Sequence, residues 1–237
     1  MNVIVLASRK GGSGKSTLAA HLGAQAQKSS GSCLLIDADA QGSLTLWHAL
    51  RRTGEPRLKA ASGGIADLVR QAEQGGTAWV VIDTPPNMSA VVTDAIRAAT
   101  LVVIPARPGV FDLDAVKETI GFTRALNKPY AVVINGAPAR RANQDSHVVT
   151  QARESLAAFN APVWGGQVSH RTNFSLALAD GEGADEYDGG SLAAVEIASL
   201  WSAIEQSVKA IIGMNGATAT AAAQATAPAA AARSDAA

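Results

Sequence analysis

Residues 9–17, Arg9-Lys10-Gly11-Gly12-Ser13-Gly14-Lys15-Ser16-Thr17, are the stretch of sequence that most constrains the fold. They follow the apolar run Val3–Ala7, which predicts a strand, and they lead into Lys15–Lys28, whose residue spacing predicts a helix. A glycine-rich loop between a strand and a helix is the setting in which phosphate loops occur. Its backbone N–H groups and the helix N-terminus form a nest for anions. The sequence therefore predicts a site for nucleotide phosphates.

Two side chains of this loop have roles that follow from the motif. The lysine at the start of the helix, here Lys15, reaches the β- and γ-phosphates, and the hydroxyl after it, here Ser16, ligates Mg²⁺. The match to G-x-x-x-x-G-K-[ST] is incomplete, because Arg9 stands where the pattern has its first glycine. The predicted nucleotide contacts in this loop are Gly11, Gly12, Ser13, Gly14, Lys15, Ser16 and Thr17.

Short apolar runs recur along the chain between longer amphipathic stretches. Most runs are rich in β-branched residues and lack polar alternation, which is typical of strands buried on both faces of a parallel sheet. Residues Asp112–Leu126 predict one crossover helix with Asp112 as its N-cap, and Ser191–Ile212 predict the last helix. The alternation predicts an α/β domain with a doubly wound, mostly parallel sheet and helices on both faces. The runs are Val3–Ala7, Cys33–Ile36, Trp79–Ile82, Leu101–Ile104 and Ala131–Ile134.

Aspartates stand at the ends of two of these runs. Asp37 and Asp39 follow Cys33–Ile36, and Asp83 follows Trp79–Ile82. The carboxyl ends of parallel strands meet at one edge of a sheet, where ligands bind. An acid directly after an apolar strand is the Walker B arrangement, which binds Mg²⁺ directly or through water. The structural alternative for Asp37 and Asp39 is to cap the helix that follows.

Three segments together resemble the ParA/MinD family of ATPases, which carries a deviant Walker A loop on the P-loop NTPase fold. They are Lys10–Thr17, Asp37–Ser43 and Asp83–Pro86, in the order found in the family, with Ala40 where the family has proline. The resemblance spans residues 2–212 and is closest to the small ParA partition ATPases. Residues Ile104–Pro108 also resemble a family element, which we interpret as dimer-facing scaffold.

This resemblance implies a role for each matching residue. Lys10 would reach across a nucleotide-sandwich homodimer to the partner's phosphates, as an arginine finger does. Asp39 would lie near the γ-phosphate and support the attack by water, and Asn135 would approach the adenine. The implied cofactors are ATP and Mg²⁺. The implied catalytic residues are Lys10, Lys15 and Asp39, and the implied Mg²⁺ residues are Ser16, Asp37 and Asp83.

The amino-acid composition excludes or disfavours several classes of protein. Of the 237 residues 47% are hydrophobic, which is enough for a large core. Basic and acidic residues number 20 each, which argues against a protein that coats nucleic acid by bulk charge and leaves a local basic patch open. The single cysteine, Cys33, excludes an intrachain disulfide and a paired-cysteine metal site. Apolar runs fall short of the ~18 residues of a membrane span, so we expect a soluble, cytoplasmic protein without membrane attachment.

The last residues differ in composition from the rest of the chain. After Gly216 the sequence is mostly alanine, with few charges and no large apolar side chain to dock against a core. We therefore expect an ATPase domain over residues 1–213 and a disordered, alanine-rich tail over residues 214–237.

The resemblance also implies partners. Small ParA proteins bind DNA without sequence preference as ATP dimers, through phosphate contacts of lysine and arginine. An adaptor of ParB type, or a cargo-specific equivalent, stimulates their slow hydrolysis. Arg171 falls where related proteins carry a DNA-binding arginine, and Arg140 and Arg141 are further candidates. Such a protein would be cytoplasmic and nucleoid-associated, and would position a plasmid, a chromosomal locus or a protein cluster.

Other functions on the same fold stay open at the level of sequence. A MinD-like regulator without DNA binding would need a basic amphipathic C-terminal anchor, which the alanine-rich tail is not. An Fe–S carrier is disfavoured because Cys33 lies inside a predicted strand. A tyrosine kinase is disfavoured because neither Tyr130 nor Tyr187 lies in the tail. A dethiobiotin-synthetase-like ligase fits the three matching segments less well.

Overall fold

The computed structural model describes residues 1–142 and 144–226, and strands and helices alternate along them. The strands are β1 (Asn2–Leu6), β2 (Cys33–Asp37), β3 (Arg57–Ala60), β4 (Trp79–Asp83), β5 (Leu101–Ala106), β6 (Tyr130–Ala137) and β7 (Val168–Ser169). The helices are α1 (Lys15–Ser30), α2 (Ser43–Leu50), α3 (Ile65–Gln74), α4 (Ala90–Ala98), α5 (Val110–Ala125), α6 (His147–Ala157), α7 (Thr172–Ala179), α8 (Ala184–Asp188) and α9 (Leu192–Thr226).

Within the described residues the strands form one sheet of seven, in the order β3-β2-β4-β1-β5-β6-β7. Every neighbouring pair in that sheet is parallel. The predicted doubly wound α/β fold is therefore confirmed. β1 lies in the middle of the sheet, so the glycine-rich loop leaves its central strand at the carboxyl edge, with the ends of β4 and β5 on either side.

Two apolar layers hold helices against the two faces of the sheet. Val5 of β1 belongs to the layer shared with α3, α4, α5 and α6. Leu6, the next residue, belongs to the layer shared with α1, α2, α7 and α9, which includes Leu18 and Trp201. Consecutive residues of a strand point to opposite faces, so a strand covered on both sides must be apolar at every position. Burial of each such aliphatic side chain stabilises the fold by about 1.5–3 kcal/mol.

Three local features differ from the prediction. Helix α5 begins at Val110 with Gly109 as its N-cap, so the prediction that Asp112 is the N-cap is wrong. Gly109 has the extended backbone of a cap and its carbonyl accepts the N–H of Asp112, which places Asp112 in the first turn, where its charge still suits the helix dipole. Strands β3 and β7 were not predicted, because β3 is an exposed edge strand containing Arg57 and Lys59 and β7 has two residues.

Helix α9 continues past the predicted end at Ile212 to Thr226. Among residues 192–214, whose side chains the structure describes, the last buried one is Val208, and Ile212 and Met214 are exposed. The helix therefore extends into the segment predicted to be a tail, and residues 227–237 of that segment lie outside the described residues. The division into a domain over residues 1–213 and a tail over 214–237 stays a prediction. None of the helices described here is long and apolar enough to cross a membrane.

Candidate functional site

A cavity of about 440 Å³ opens at the carboxyl edge of the sheet, above β1. Its size falls in the range of small-molecule and cofactor sites. Asp39 after β2, Pro86 after β4 and Arg107 after β5 line this cavity. The glycine-rich loop and the start of α1 contribute Gly11, Gly12, Gly14, Lys15, Ser16 and Thr17. The structure thus brings most of the predicted phosphate loop into one cavity with Asp39.

The backbone of the loop requires glycine at two positions. Gly12 and Gly14 have φ of 72° and 95°, in the left-handed region that side chains other than glycine rarely adopt. Gly14 is also the N-cap of α1. A Cβ atom on Gly14 would lie 2.2 Å from the amide nitrogen of Asn135. The loop conformation and its close packing therefore exclude a side chain at Gly14.

Asn135 supports the loop from the end of β6. Its side-chain amide donates a buried hydrogen bond of 2.7 Å to the carbonyl oxygen of Ser13. Asn135 is 7% exposed and does not line the cavity, which differs from the adenine contact that the resemblance implies. Its adenine contact stays a prediction, whereas its contact with the loop is direct.

Replacing Asn135 with alanine is expected to lower the free energy of unfolding by about 1–3 kcal/mol, because the buried carbonyl of Ser13 loses its partner. We would measure urea denaturation of Asn135→Ala beside Gln206→Ala, which removes an exposed amide from α9 that bonds only the hydroxyl of Ser202. The Gln206 variant should stay close to the unsubstituted protein. Equal stabilities for the two variants would contradict the supporting role of Asn135.

Lys15 is buried inside the loop that it serves. Its ammonium group donates to the carbonyl oxygens of Ser8 at 3.2 Å and Lys10 at 3.4 Å. Burial lowers the pKa of Lys15, and the charges of Asp83 and Asp39 oppose this shift. The loop therefore holds a cation next to two carboxylates, at the position that the motif assigns to phosphate binding.

Asp83 at the end of β4 is fully buried, and neither of its carboxyl oxygens has a hydrogen-bond partner among the described residues. Burial raises its pKa to about 7, and the neighbouring charges of Asp37 and Asp39 add to this rise. The Ser16 hydroxyl, which is close but outside hydrogen-bond geometry, and the Lys15 ammonium lower it. A buried carboxylate without a partner is costly, so this group is expected to face a cation when the site functions.

Asp37 makes the helix-capping contacts that were the structural alternative for it. One carboxyl oxygen accepts the backbone N–H of Thr45 at 2.8 Å and its hydroxyl at 2.6 Å, and the other accepts the N–H of Asp39 at 3.1 Å. Asp39 in turn accepts the N–H of Gln41 at 3.0 Å. These bonds fix the loop between β2 and α2, and the place of Asp37 in a Mg²⁺ shell stays a prediction.

The oxygen donors at this edge fit Mg²⁺. This ion binds through one or two carboxylates together with water and substrate phosphates, and rarely in an all-protein cage. No group of three or more His, Cys, Asp or Glu residues in the described ranges could hold a metal ion by itself. The Ser16 hydroxyl and Asp83 would therefore hold Mg²⁺ jointly with a nucleotide, and the ion would neutralise part of the phosphate charge.

The two residues before the glycines, Arg9 and Lys10, do not line the cavity. Arg9, the departure from the general motif, forms an ion pair with Glu118 of α5, and its backbone N–H donates to the Thr119 hydroxyl at 3.3 Å. Lys10 is half-buried, and its ammonium group has no hydrogen bond or ion pair within residues 1–142 and 144–226. The loop is thus tied to α5 through Arg9, while the Lys10 side chain stays available to another molecule.

The three predicted DNA contacts lie in loops that follow β6 and β7, which are neighbours in the sheet. Arg140 is bound to Asp145 at 2.6 Å, and Arg171 is bound to Glu196 at 2.8 Å. Only the exposed side chain of Arg141 is free of such a partner in the part of the chain that the structure describes. Two of the three cations are therefore neutralised by carboxylates, and their contact with DNA stays a prediction.

The cavity wall also includes residues that the sequence did not predict for the site. Arg107 lies in the segment that we interpreted as dimer-facing scaffold. Its proximity to the loop follows from the pairing of β5 with β1, which the sequence does not reveal. The others are Ala20, Gln41, Ser43, Trp47, Pro86 and Leu178.

Comparison with known proteins identifies a family for this chain. Residues 4–184 match the CobQ/CobB/MinD/ParA nucleotide binding domain. The match covers the glycine-rich loop, the three aspartates and Asn135, and it ends before α9 begins.

Individual relatives match over about half of their own length. The chain is 38% identical over 120 residues to maintenance of carboxysome distribution protein A of Gloeobacter kilaueensis, covering 50% of this chain and 55% of that protein. It is 36% identical over 116 residues to protein ParA of Rhizobium radiobacter, covering 47% of this chain and 51% of that protein.

Solved structures share the fold at low sequence identity. The apo McdA of Cyanothece superposes with a TM-score of 0.68 at 19% identity, covering 90% of this chain and 99% of that one. MinD of Aquifex aeolicus superposes with a TM-score of 0.67 at 20% identity, covering 87% of this chain and 98% of that one. An ATP complex of a Cyanothece McdA variant has a TM-score of 0.66 at 18% identity, covering 90% of this chain and 96% of that one.

Proposed function

This chain belongs to the CobQ/CobB/MinD/ParA nucleotide-binding family, and from that premise we propose that it is an ATP-dependent positioning ATPase. Its cycle would consist of ATP binding, dimerisation, binding to DNA without sequence preference, and release on hydrolysis. The cargo would be a plasmid, a chromosomal locus or a protein cluster, linked by an adaptor of ParB type or a cargo-specific equivalent. The protein would then be associated with the nucleoid.

The observation that supports this proposal is that the two lysines of one loop have different surroundings. Lys15 is buried against carbonyl oxygens of its own loop, beside Asp39 and Asp83. Lys10 has no side-chain partner among the described residues and stands on the other side of the glycines. In the proposed cycle one cation would serve the nucleotide of its own subunit, and the other would serve that of a second subunit. This arrangement suits a protein whose ATP joins two copies of the chain.

Slow hydrolysis is part of the proposal. Asp39 lines the cavity beside the phosphate loop, where a carboxylate would orient an attacking water molecule. Completion of the site would require the partner's Lys10, and the adaptor would accelerate the step. The γ-phosphate would therefore act as the switch between monomer and dimer.

The proposed DNA binding is tested by its dependence on nucleotide and salt. We would measure fluorescence anisotropy of a random-sequence DNA duplex with the protein and ATP, ADP or no nucleotide, at low and moderate salt. Binding should require ATP and fall steeply with salt, because phosphate contacts release counterions. The Arg141→Ala variant should bind more weakly to every sequence, since Arg141 is an exposed cation without a carboxylate partner in the described ranges.

Absence of DNA binding in every nucleotide state would contradict the DNA-based function. In that case binding to anionic liposomes, measured with the same nucleotides, would test a MinD-like function. Lys15→Ala provides the control for nucleotide dependence in both assays, because it should respond to no nucleotide.

A further inference from the structure

Arg107 stands in the cavity without a group to neutralise it. It is exposed, it lines the same cavity as Gly11, Gly12 and Lys15, and its guanidinium group makes no hydrogen bond or ion pair with the residues that the structure describes. Arginine stays protonated at any physiological pH and presents a planar fork of donors that matches phosphate oxygens. A free guanidinium group beside a phosphate loop is therefore a potential contact for an anionic ligand.

The chain holds Arg107 in place through its neighbours. Pro108 restricts the backbone of Arg107 to extended conformations, and the carbonyl of Arg107 accepts the N–H of Gly109 at 2.8 Å. On the side of β6, a Cβ atom added to Gly136 would lie 3.6 Å from Nε of Arg107. The side chain of Arg107 therefore lies close to Gly136, at the end of β6.

The negative charges of the site and of its proposed ligand favour a second cation beside Lys15. Lys15 is the cation of the loop, and the charges of Asp37, Asp39 and Asp83 act on one another or on Lys15. A bound nucleoside triphosphate adds several further negative charges to the cavity. Mg²⁺, Lys15 and the N–H groups of the loop offset part of this total, and a further positive group facing the phosphates would strengthen binding.

We infer that Arg107 contacts the phosphates beyond the α-phosphate of the bound nucleotide. The inference rests on the proposed ATP binding and assigns to that site a binding residue outside the loop, Asp39 and Asp83. Arg107 shares the cavity wall with Gly11 and Gly12, which belong to the phosphate cradle, and this favours the phosphates over the base as its contact. The contact would be a charge-assisted, bidentate hydrogen bond.

The test is titration of fluorescent ATP and AMP, each carrying the same ribose label, with Mg²⁺ into Arg107→Ala, Arg107→Lys and the unsubstituted protein. Arg107→Ala should bind ATP about ten- to hundredfold more weakly and AMP nearly unchanged, as expected for loss of a charged hydrogen bond. Arg107→Lys should recover part of the loss. Arg52→Ala is the matched control, because Arg52 is exposed, does not line the cavity and has no side-chain partner in the described residues.

The outcomes separate this inference from the proposed function. If the unsubstituted protein binds no ATP, the proposed function fails as well. If it binds ATP and Arg107→Ala binds ATP as tightly as Arg52→Ala does, this inference alone is overturned. Equal losses for ATP and AMP would also overturn it, because they would place Arg107 away from the terminal phosphates. Thermal unfolding of the variants at equal midpoints would show that the losses are local.

Discussion

Replacement of Lys15 with alanine is expected to abolish nucleotide binding, with a loss of at least about a hundredfold in affinity. The ammonium group is the cation buried within the phosphate loop, and it links the carbonyls of Ser8 and Lys10 across the glycines. Alanine removes the charge that meets the β- and γ-phosphates and leaves these carbonyls without their donor. Titration of fluorescent ATP with Mg²⁺ measures the effect directly.

Two comparisons make the Lys15 result interpretable. Lys209→Ala removes an exposed lysine of α9, and it should bind ATP like the unsubstituted protein. Lys15→Gln keeps a hydrogen-bond donor without the charge, so its affinity reports how much of the loss is electrostatic. Retention of tight ATP binding by Lys15→Ala, in a protein that unfolds cooperatively, would refute the assignment of the phosphate loop.

The central strands could be predicted because their burial leaves a continuous signal in the sequence. A parallel strand covered on both faces is apolar along its length, as β1, β2, β4 and β5 are apart from Asn2, Asp37 and Asp83 at strand ends. The edge strand β3 is mostly exposed and need not be apolar. Its charged residues make its sequence similar to that of a loop. The order of the strands was equally hidden, because hydrophobic runs carry no information about which run pairs with which.

The candidate site could be predicted where one segment contains a complete chemical motif. The phosphate loop and Asp39 line one cavity, as expected from the rule that the carboxyl ends of parallel strands meet at one edge of the sheet. Arg107 was missed as a site residue because its position depends on the pairing of β5 with β1. The neutralisation of Arg171 by Glu196, 25 residues away, could not be predicted either, because the ion pair depends on how α9 packs.

Replacement of Lys10 with alanine is expected to separate nucleotide binding from dimerisation. The Lys10 side chain takes no part in the cavity wall and has no partner in the described residues, so ATP affinity of the monomer should change by no more than about threefold. If Lys10 supplies the cation that meets the partner's phosphates, its loss removes a charge-assisted contact from each half of a sandwich dimer. Dimerisation with ATP, hydrolysis and DNA binding should then all be lost.

Light scattering after size exclusion, with ATP and with ADP, would show the loss of dimers, and a mixing experiment would test the direction of the contact. In an equal mixture of Lys10→Ala and Lys15→Ala, only the Lys10→Ala subunit binds ATP, and its partner still carries Lys10. A lysine that acts across the interface would restore part of the hydrolysis in such mixed dimers, whereas a lysine that serves its own nucleotide would restore none. Normal ATP-dependent dimers of Lys10→Ala alone would contradict the role across the interface, because the contact that joins the subunits through their phosphates would then be dispensable.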